Sequence, residues 1–524
     1  MTSPFGWSKS TANGDGLGCA YPMTPMWRAR APKSWPRSAA AIPVRHDEIV
    51  ATAAAVTAGG PPGAAMATAR GTATARGTAT APECETATRT GHAPNAGVVA
   101  AEHRLTTLDS GVRIVTERMP AVRSVAIGFW VATGSRNETD AEAGLSHLIE
   151  HLLFKGSSKY GSLQIDQLFD AMGAELNAGT GKETTSVYAR VINQHVAEAL
   201  DVMADMVFRP SMNDMDSERA VILEEIAMYE DDPAEKVFDV LGRAVFGEDP
   251  LGRAVIGHAS VIAETPVEQI AKFHASRYVA GNVVIAAAGD VEHDEFVELT
   301  SSLTENVGAA PAPTAPTPPT AGEPRKLFER KDSEQYHVCL GGRGLSRHDD
   351  RRFALRVLDT IFGGTSSSRL FQEVRERRGL AYAVYSFTGA YQDTGQIGLY
   401  LGTRPENLEE ALSVAGEELR RLTGQPATAE ELERAKENLK GRVVLALEST
   451  GARMNRLGSE VLAVAPLLSL DEIVRRIDAV SLDDLVELAE DLWMPASLSA
   501  AGIGPDEERF REALGTIVPV EAVR

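Results

Sequence analysis

The sequence predicts an α+β protein of two similar domains, each an antiparallel sheet packed with helices. Three observations carry this. From residue 101 onward, strand-like apolar runs alternate with amphipathic helical stretches. The order of those elements repeats once, at domain length rather than at the short period of a solenoid. A proline-rich segment at 308–325, "GAAPAPTAPTPPTAGEPR", lies between the two copies and reads as a semi-rigid linker.

The elements follow in order. Residues 1–100 are low in complexity, with the near-repeat "ATARGTATARGTATAP" at 67–82. They hold too few large apolar side chains to offset the entropy of ordering, so a disordered tail is expected. In the first domain, 101–307, the strand "SVAIGFWVATGS" leads to a helix containing "LSHLIEHLLFKG" and then to the helix "IDQLFDAMGAEL". The strand "TTSVYARVI" and the helix "HVAEALDVMADMV" follow. In the second domain, 326–524, the strand "YHVCLGGRGLS" precedes the helices "FALRVLDTIFGG" and "SSRLFQEVRERR". The strands "AYAVYSFTGAY" and "QIGLYLGT" and the helix "LEEALSVAGEELRRL" come next. This alignment sets Arg356 and Thr360 opposite His147 and His151, so only the first copy has the histidine pair.

Composition narrows the class of partner. The formal net charge is −21, and residues 1–100 hold nine Lys/Arg against five Asp/Glu, which leaves the remainder near −25. Phosphate recognition needs a basic surface, so nucleic acid is excluded as a partner. Of the three cysteines, Cys19 and Cys84 lie in the tail and Cys339 stands alone, which points to a reducing compartment. No apolar run reaches the roughly 18–20 residues that span a bilayer, so membrane insertion is not expected. A bacterial cytoplasm fits these features. A mitochondrial matrix location would require the acid-poor first 46 residues to act as a transit peptide.

The stretch "SHLIEHLLFKG" at 146–156 is the focus of the chemistry. Leu145, Leu148, Ile149, Leu152 and Leu153 form one apolar stripe of a helix, and His147, Glu150, His151 and Phe154 form another on the opposite side. A capping box at Thr139 and Glu142 is expected to start this helix and Gly156 to stop it. Histidines four apart stand one turn apart on one face, where both can reach a single ion; the alternative is a solvated face. A carboxylate to complete a three-ligand site is available in "DMDSERAVILEEIAMYEDD", where Glu218 and Glu225 lie seven apart among apolar residues. Other motifs fail. "GTGKET" has Leu176 where a phosphate loop needs its first glycine and Glu183 where it needs Ser/Thr; "GLSHL" has Leu148 where a nucleophile elbow needs its closing glycine. Cys339 reads as a core residue.

Taken together, "HLIEH" with Glu218 and Glu225 downstream resembles the inverted zinc motif of the insulinase/pitrilysin family of metallopeptidases. "LSHLIEHLLFKGSSKY", "GAELNAGTGKETTSVYARV", "DDPAEKVFDVL" and "FGGTSSSRLFQEVRERRGLAYAVYSF" resemble its mitochondrial-processing-peptidase-like branch, in the bacterial two-domain form. The resemblance runs from about residue 103 to the end.

It implies a zinc endopeptidase whose two domains enclose a chamber like a clamshell, with zinc on the first and substrate contacts from both, cleaving short or unfolded peptides, with one Zn2+ per chain and a homodimeric assembly. His147, His151 and Glu225 would ligate the metal, Glu150 would be the general base, and Glu218 a supporting carboxylate. Arg375 and Tyr382 would hold substrate and stabilise the oxyanion. Asn177 and Ala178 would pair with the peptide backbone, and Phe154 would line the pocket after the cleaved bond. A non-catalytic structural or partner subunit of the same fold is the competing expectation. An active subunit whose arginine and tyrosine come from a separate partner chain is a further one, but the presence of Arg375 and Tyr382 here argues for self-sufficiency.

Overall fold

A computed structural model describes residues 103–517 except 309, 311, 314, 315, 321, 425 and 426. The expected disordered tail lies outside the described residues, as do Cys19 and Cys84. The first half forms a six-stranded sheet from β1 (His103–Thr107), β2 (Arg113–Arg118), β3 (Ser124–Val131), β4 (Glu175–Thr180), β5 (Thr185–Ile192) and β6 (Val283–Gly289), in the order β1-β2-β6-β3-β5-β4. The second half forms a five-stranded sheet from β7 (Lys326–Arg330), β8 (Tyr336–Gly344), β9 (Ala381–Ala390), β10 (Gly395–Thr403) and β11 (Ser499–Gly504), in the order β7-β11-β8-β10-β9.

Apart from the added β1, the two orders are the same. Each sheet is antiparallel but for one parallel pair, β2 with β6 and β7 with β11. The parallel pair arises because the last strand of each half returns, after a long helical connection, beside the half's first core strand.

The central strands are buried on both faces. β6 is buried at every position and β3 at six of eight, which is why they read as continuous apolar runs rather than alternating ones. On one face of the first sheet, Ile127, Phe129 and Ile285 pack with the half's own helices, among them Leu148 and Leu152. On the other face, Ala126, Val284 and Ala286 meet Met454, Leu457 and Val461 from the helix Thr450–Leu462, which belongs to the second half. The second sheet mirrors this. Cys339, Tyr400 and Ile503 pack against Val237, Val240 and Leu241 from the helix Pro233–Phe246 of the first half. Each half therefore lends one helix to the other.

Small residues and charges seat these exchanged helices. A Cβ at Gly458 would collide with the Trp130 indole on β3, so only glycine lets the helix lie this close. Glu117 on β2 is 2 % exposed and is paired with Arg453 and Arg456, the latter at 3.5 Å. Glu329 on β7 pairs with Lys236 at 3.2 Å and with Arg243. Beyond the helices, buried Arg136 joins Glu183 on the β4–β5 turn (2.6 Å) to Asp393 on the β9–β10 turn (2.7 Å). The residue that spoils the phosphate-loop pattern thus serves as a tie between the halves.

Candidate metal centre and active site

The histidine helix spans Leu145–Leu153, and its apolar stripe, Leu145, Leu148, Ile149, Leu152 and Leu153, is entirely buried. Its start differs from expectation. The Thr139–Glu142 capping box forms, with Glu142 Oε2 accepting from Thr139 N at 3.0 Å, but it closes the short turn Asp140–Glu142 that precedes the helix. The helix amides are served by Glu138, whose carboxylate accepts from Gly144 N at 2.8 Å and Ser146 N at 2.7 Å. Burial raises the Glu138 pKa, and those two amide bonds only partly offset it. Gly144 must be glycine, because its φ is 101° and a Cβ would meet the Ile256 carbonyl oxygen. Sequence reading passed over Glu138, since it acts across a turn rather than at a standard cap spacing. At the other end, Gly156 turns the chain away at φ 111°.

His147 and His151 stand edge to face with ring centroids 4.8 Å apart. The second helix of the site, Met215–Asp231, brings Glu225 Oε2 to 3.9 Å from His147 Nε2 and 3.6 Å from His151 Nε2. One ligand atom from each of the three residues lies within 4.8 Å of the other two. Donors held at about 2.0–2.1 Å around a tetrahedral ion would stand roughly 3.4 Å apart, so this donor set fits zinc after small rotations. The three side chains are 12, 22 and 31 % exposed, so the cluster is sheltered but reached by solvent.

Glu218, about two helical turns before Glu225, lies behind His151. Its Oε2 is 3.4 Å from His151 Nδ1 and its Oε1 is 2.8 Å from Lys155 Nζ, with the carboxylate side chain only 5 % exposed. Burial alone would raise its pKa, but the bonds from His151 and Lys155 outweigh burial and hold it below the usual carboxylate value. With the His151 proton on Nδ1, Nε2 presents a lone pair to Glu225 Oε2. Acceptor then faces acceptor, an arrangement a cation relieves. Glu150 sits on the same helix one turn from His147 and next to His151. Sequence reading did not assign Lys155 a role, although it lies in the quoted "LLFKG".

The other expected residues are placed as follows. β4 is the edge strand of the first sheet, paired through Asn177 and Ala178 with Tyr188 and Val187 of β5. The Ala178 amide is bonded to Asn177 Oδ1 at 2.8 Å. Phe154, expected on the ligand stripe, is the C-terminal cap residue of the helix, 8 % exposed and packed in the core of the first half.

Arg375 and Tyr382 come together, with the guanidinium carbon 4.6 Å from the Tyr382 ring centroid and 4.7 Å from that of Phe371. Tyr382 is the extra residue of a bulge, since Gly402 pairs with Ala383 and Thr403 with Ala381, and it is 80 % exposed. The Arg375 guanidinium also lies 3.7 Å from Glu376 Oε1, so the arginine–tyrosine pair is held by its own neighbours in the second half. Cys339 is fully buried in β8, and burial lifts its thiol pKa well above the ordinary value, as a core cysteine should be.

Comparison with known proteins adds three findings. The family described as Insulinase (Peptidase family M16) matches residues 113–259, and the Peptidase M16 inactive domain matches 266–439. The chain is 43 % identical over 419 residues to an uncharacterized zinc protease of Streptomyces coelicolor, covering 78 % of this chain and 91 % of that one. An uncharacterized zinc protease of Bacillus subtilis is 40 % identical over 389 residues, covering 74 and 95 %. Among solved structures, a peptidase M16 inactive domain from Pseudomonas fluorescens superposes with a TM-score of 0.73 at 24 % identity, over 77 % of this chain and 98 % of that one. A protease from Helicobacter pylori gives 0.71 at 22 %, over 78 and 100 %.

Proposed function

Since this chain belongs to the insulinase family, peptidase family M16, we propose that it is a zinc endopeptidase whose metal is held by His147, His151 and Glu225. The convergence of those three side chains carries the reading. Residues 101–307 would form the catalytic half and 326–524 a metal-free half, joined by 308–325. Bound zinc would supply Lewis acidity toward the scissile carbonyl and lower the pKa of attacking water toward 7.

The chain's own groups would do the rest. Glu150, in its inverted H-x-x-E-H setting, takes the proton of the attacking water and passes it to the leaving amine nitrogen. Glu218 orients the His151 ring through Nδ1. The open edge of β4 accepts an extended peptide, which would displace Asn177 Oδ1 from the Ala178 amide and take its place. Phe154 could line a pocket only through the small part of its ring left uncovered.

In this reading Arg375 and Tyr382 act across two copies rather than within one chain. The exchanged helices bind the two halves of one chain face to sheet, so those halves are poor jaws for a hinge. A clamshell with its chamber between two copies, rather than between the two domains of one chain, would present the half-buried Arg375 and the exposed Tyr382 of one to the metal centre of the other. The substrates would then be short or unfolded peptides in a bacterial cytoplasm. Among the described residues no helix is long and apolar enough to cross a membrane. A non-catalytic subunit is disfavoured because the ligand set and Glu150 are all present.

The test is metal analysis with cleavage of a quenched peptide. Glu150→Gln should keep its metal and lose about 100- to 10,000-fold in rate; undiminished cleavage would remove Glu150 as base. Mixing Glu150→Gln chains with Arg375→Ala chains should restore activity if the two act across copies. If both act within one chain, the mixture stays as inactive as its parts.

A further inference from the structure

We propose that Lys155 is a positioning residue of the metal centre, acting through Glu218 to fix the His151 ring. The inference rests on the metal site proposed above and adds a member to it. Lys155 follows the histidine helix directly, and its backbone is held on both sides. Its amide bonds to Leu152 O at 3.0 Å, Phe154 before it is buried in the core, and Gly156 after it turns at φ 111°. From that anchored position Nζ reaches Glu218 Oε1 at 2.8 Å, while the other carboxylate oxygen faces His151 Nδ1 at 3.4 Å. Lysine, carboxylate and imidazole form one chain of contacts that ends at the proposed ligand atom, His151 Nε2.

The physical reason for the lysine lies in the crowding of acids. Glu218 and Glu225 are both drawn toward His151 from one helix, and Glu150 is its neighbour on the other. A carboxylate that is only 5 % exposed keeps one rotamer when both oxygens are bonded. Without Lys155, one Glu218 oxygen would lose its cation, and the side chain could turn away from His151. The imidazole would then be free to rotate about its own axis before the metal arrives, which weakens binding. Partners of this outer kind are worth about 10- to 100-fold in metal affinity.

The experiment is zinc affinity of the full chain, measured by competition with a chromogenic chelator and so independent of peptidase activity. Lys155→Met should weaken zinc binding about 10- to 100-fold, while Lys155→Arg recovers most of the loss. Glu218→Gln should weaken it as well, and Lys155→Met/Glu218→Gln should be no worse than Glu218→Gln alone, because both changes break one path. Thermal unfolding of the metal-free variants separates this from a structural role. A Lys155→Met chain that loses stability yet binds zinc as tightly as the wild type overturns the proposal. Full additivity in the double variant also overturns it, since Lys155 would then act by another route. If the wild type itself holds no zinc, it is the metal-site reading that falls.

Discussion

The two halves place the same helix pair in the same position and fill it with different chemistry. In the first half the histidine helix faces the helix Met215–Asp231; in the second, the helix Arg352–Phe362 faces the helix Ala429–Ala446. The buried stripe Leu145, Leu148, Ile149, Leu152, Leu153 recurs as Ala354, Val357, Leu358, Ile361, Phe362. With that register, Arg356, Asp359 and Thr360 stand where the first half has His147, Glu150 and His151. Counted from the residue before each facing helix, Asp214 and Thr428, the positions of Glu218 and Glu225 hold Leu432 and Leu439, both buried in the core.

Asp359 stands at the position of Glu150, the proposed base. Burial raises its pKa, and a bond from the Ser386 hydroxyl at 2.5 Å takes up its carboxylate. Where leucines replace the carboxylates, the helices close on each other as ordinary core, so the helix pair does not need the proposed metal to form.

The largest effect should separate the two pairs directly. His147→Ala or His151→Ala should strip the metal and lower peptide cleavage by about 1000-fold or more, because several kcal/mol of charge stabilisation are lost. Arg356→Ala and Thr360→Ala, at the matching positions, should keep metal content at the wild-type ratio. Elemental analysis of purified chains checks both. Metal loss in the Thr360 variant would mean that the halves are not chemically distinct in the way described.

A second contrast concerns the exchanged helices. Glu117 is buried between Arg453 and Arg456, whereas Glu329 makes the matching contact to Lys236 and Arg243 with its side chain 32 % exposed. Removing one partner of a buried pair strands the others, so Glu117→Gln should cost about 3–5 kcal/mol. Water screens the other site, and Glu329→Gln should cost at most about 1 kcal/mol. Urea unfolding curves give both numbers. Equal costs would show that burial does not govern how the halves are joined.

Much of this arrangement was legible from the sequence, and the limits have physical causes. The histidine helix, its apolar stripe and the carboxylates seven apart are local periodicities, and a period of 3.6 residues survives in sequence. Alternation and apolar runs likewise announced most strands and the repeat of their order. The helix exchange left no such trace, because Leu241 and Leu457 pack on a sheet distant in the chain and look like any other amphipathic leucine. Phe154 keeps the histidine spacing but is 8 % exposed and packed in the core of the first half, because burial depends on neighbours distant in sequence. The Thr139–Glu142 box was read correctly as a cap but assigned to the wrong helical segment, since a turn of three residues lies between.

Acid should act through the buried histidines, His274 in the first half and His337 on β8, whose pKa burial also lowers, before it reaches the Arg369–Glu431 pair. His274 is buried against Tyr278, with Nε2 at 2.9 Å from the Val207 carbonyl, and desolvation pushes its pKa down to about 4. An unfolded chain takes up that proton near pH 6.5, so stability is complete above pH 6.5 and falls as pH drops toward 4. The shift is worth roughly 3 kcal/mol. In the second half, Arg369 holds Glu431 at about 2, and its contribution fades only between pH 4.5 and 2. Denaturant midpoints of His274→Phe should therefore change less between pH 6.5 and 4 than those of the wild type. An unchanged slope would show that another group governs that window.

The smallest effect tests how each facing helix begins. In the second half, Thr428 and Glu431 form a complete capping box, with Thr428 Oγ1 accepting from Glu431 N at 3.1 Å and the Glu431 carboxylate accepting from Thr428 N at 2.9 Å. In the first half the same position is Asp214, left-handed at φ 56° and without a side-chain cap. Thr428→Ala should cost about 1 kcal/mol. Asp214→Gly should be neutral or should stabilise by up to about 1 kcal/mol, because glycine adopts that φ without strain. If the helix carrying Glu218 and Glu225 is positioned by its tertiary contacts rather than by its own cap, zinc affinity will not move in Asp214→Gly. A large loss of stability or affinity there would instead make Asp214 the local anchor that the metal-binding helix otherwise lacks.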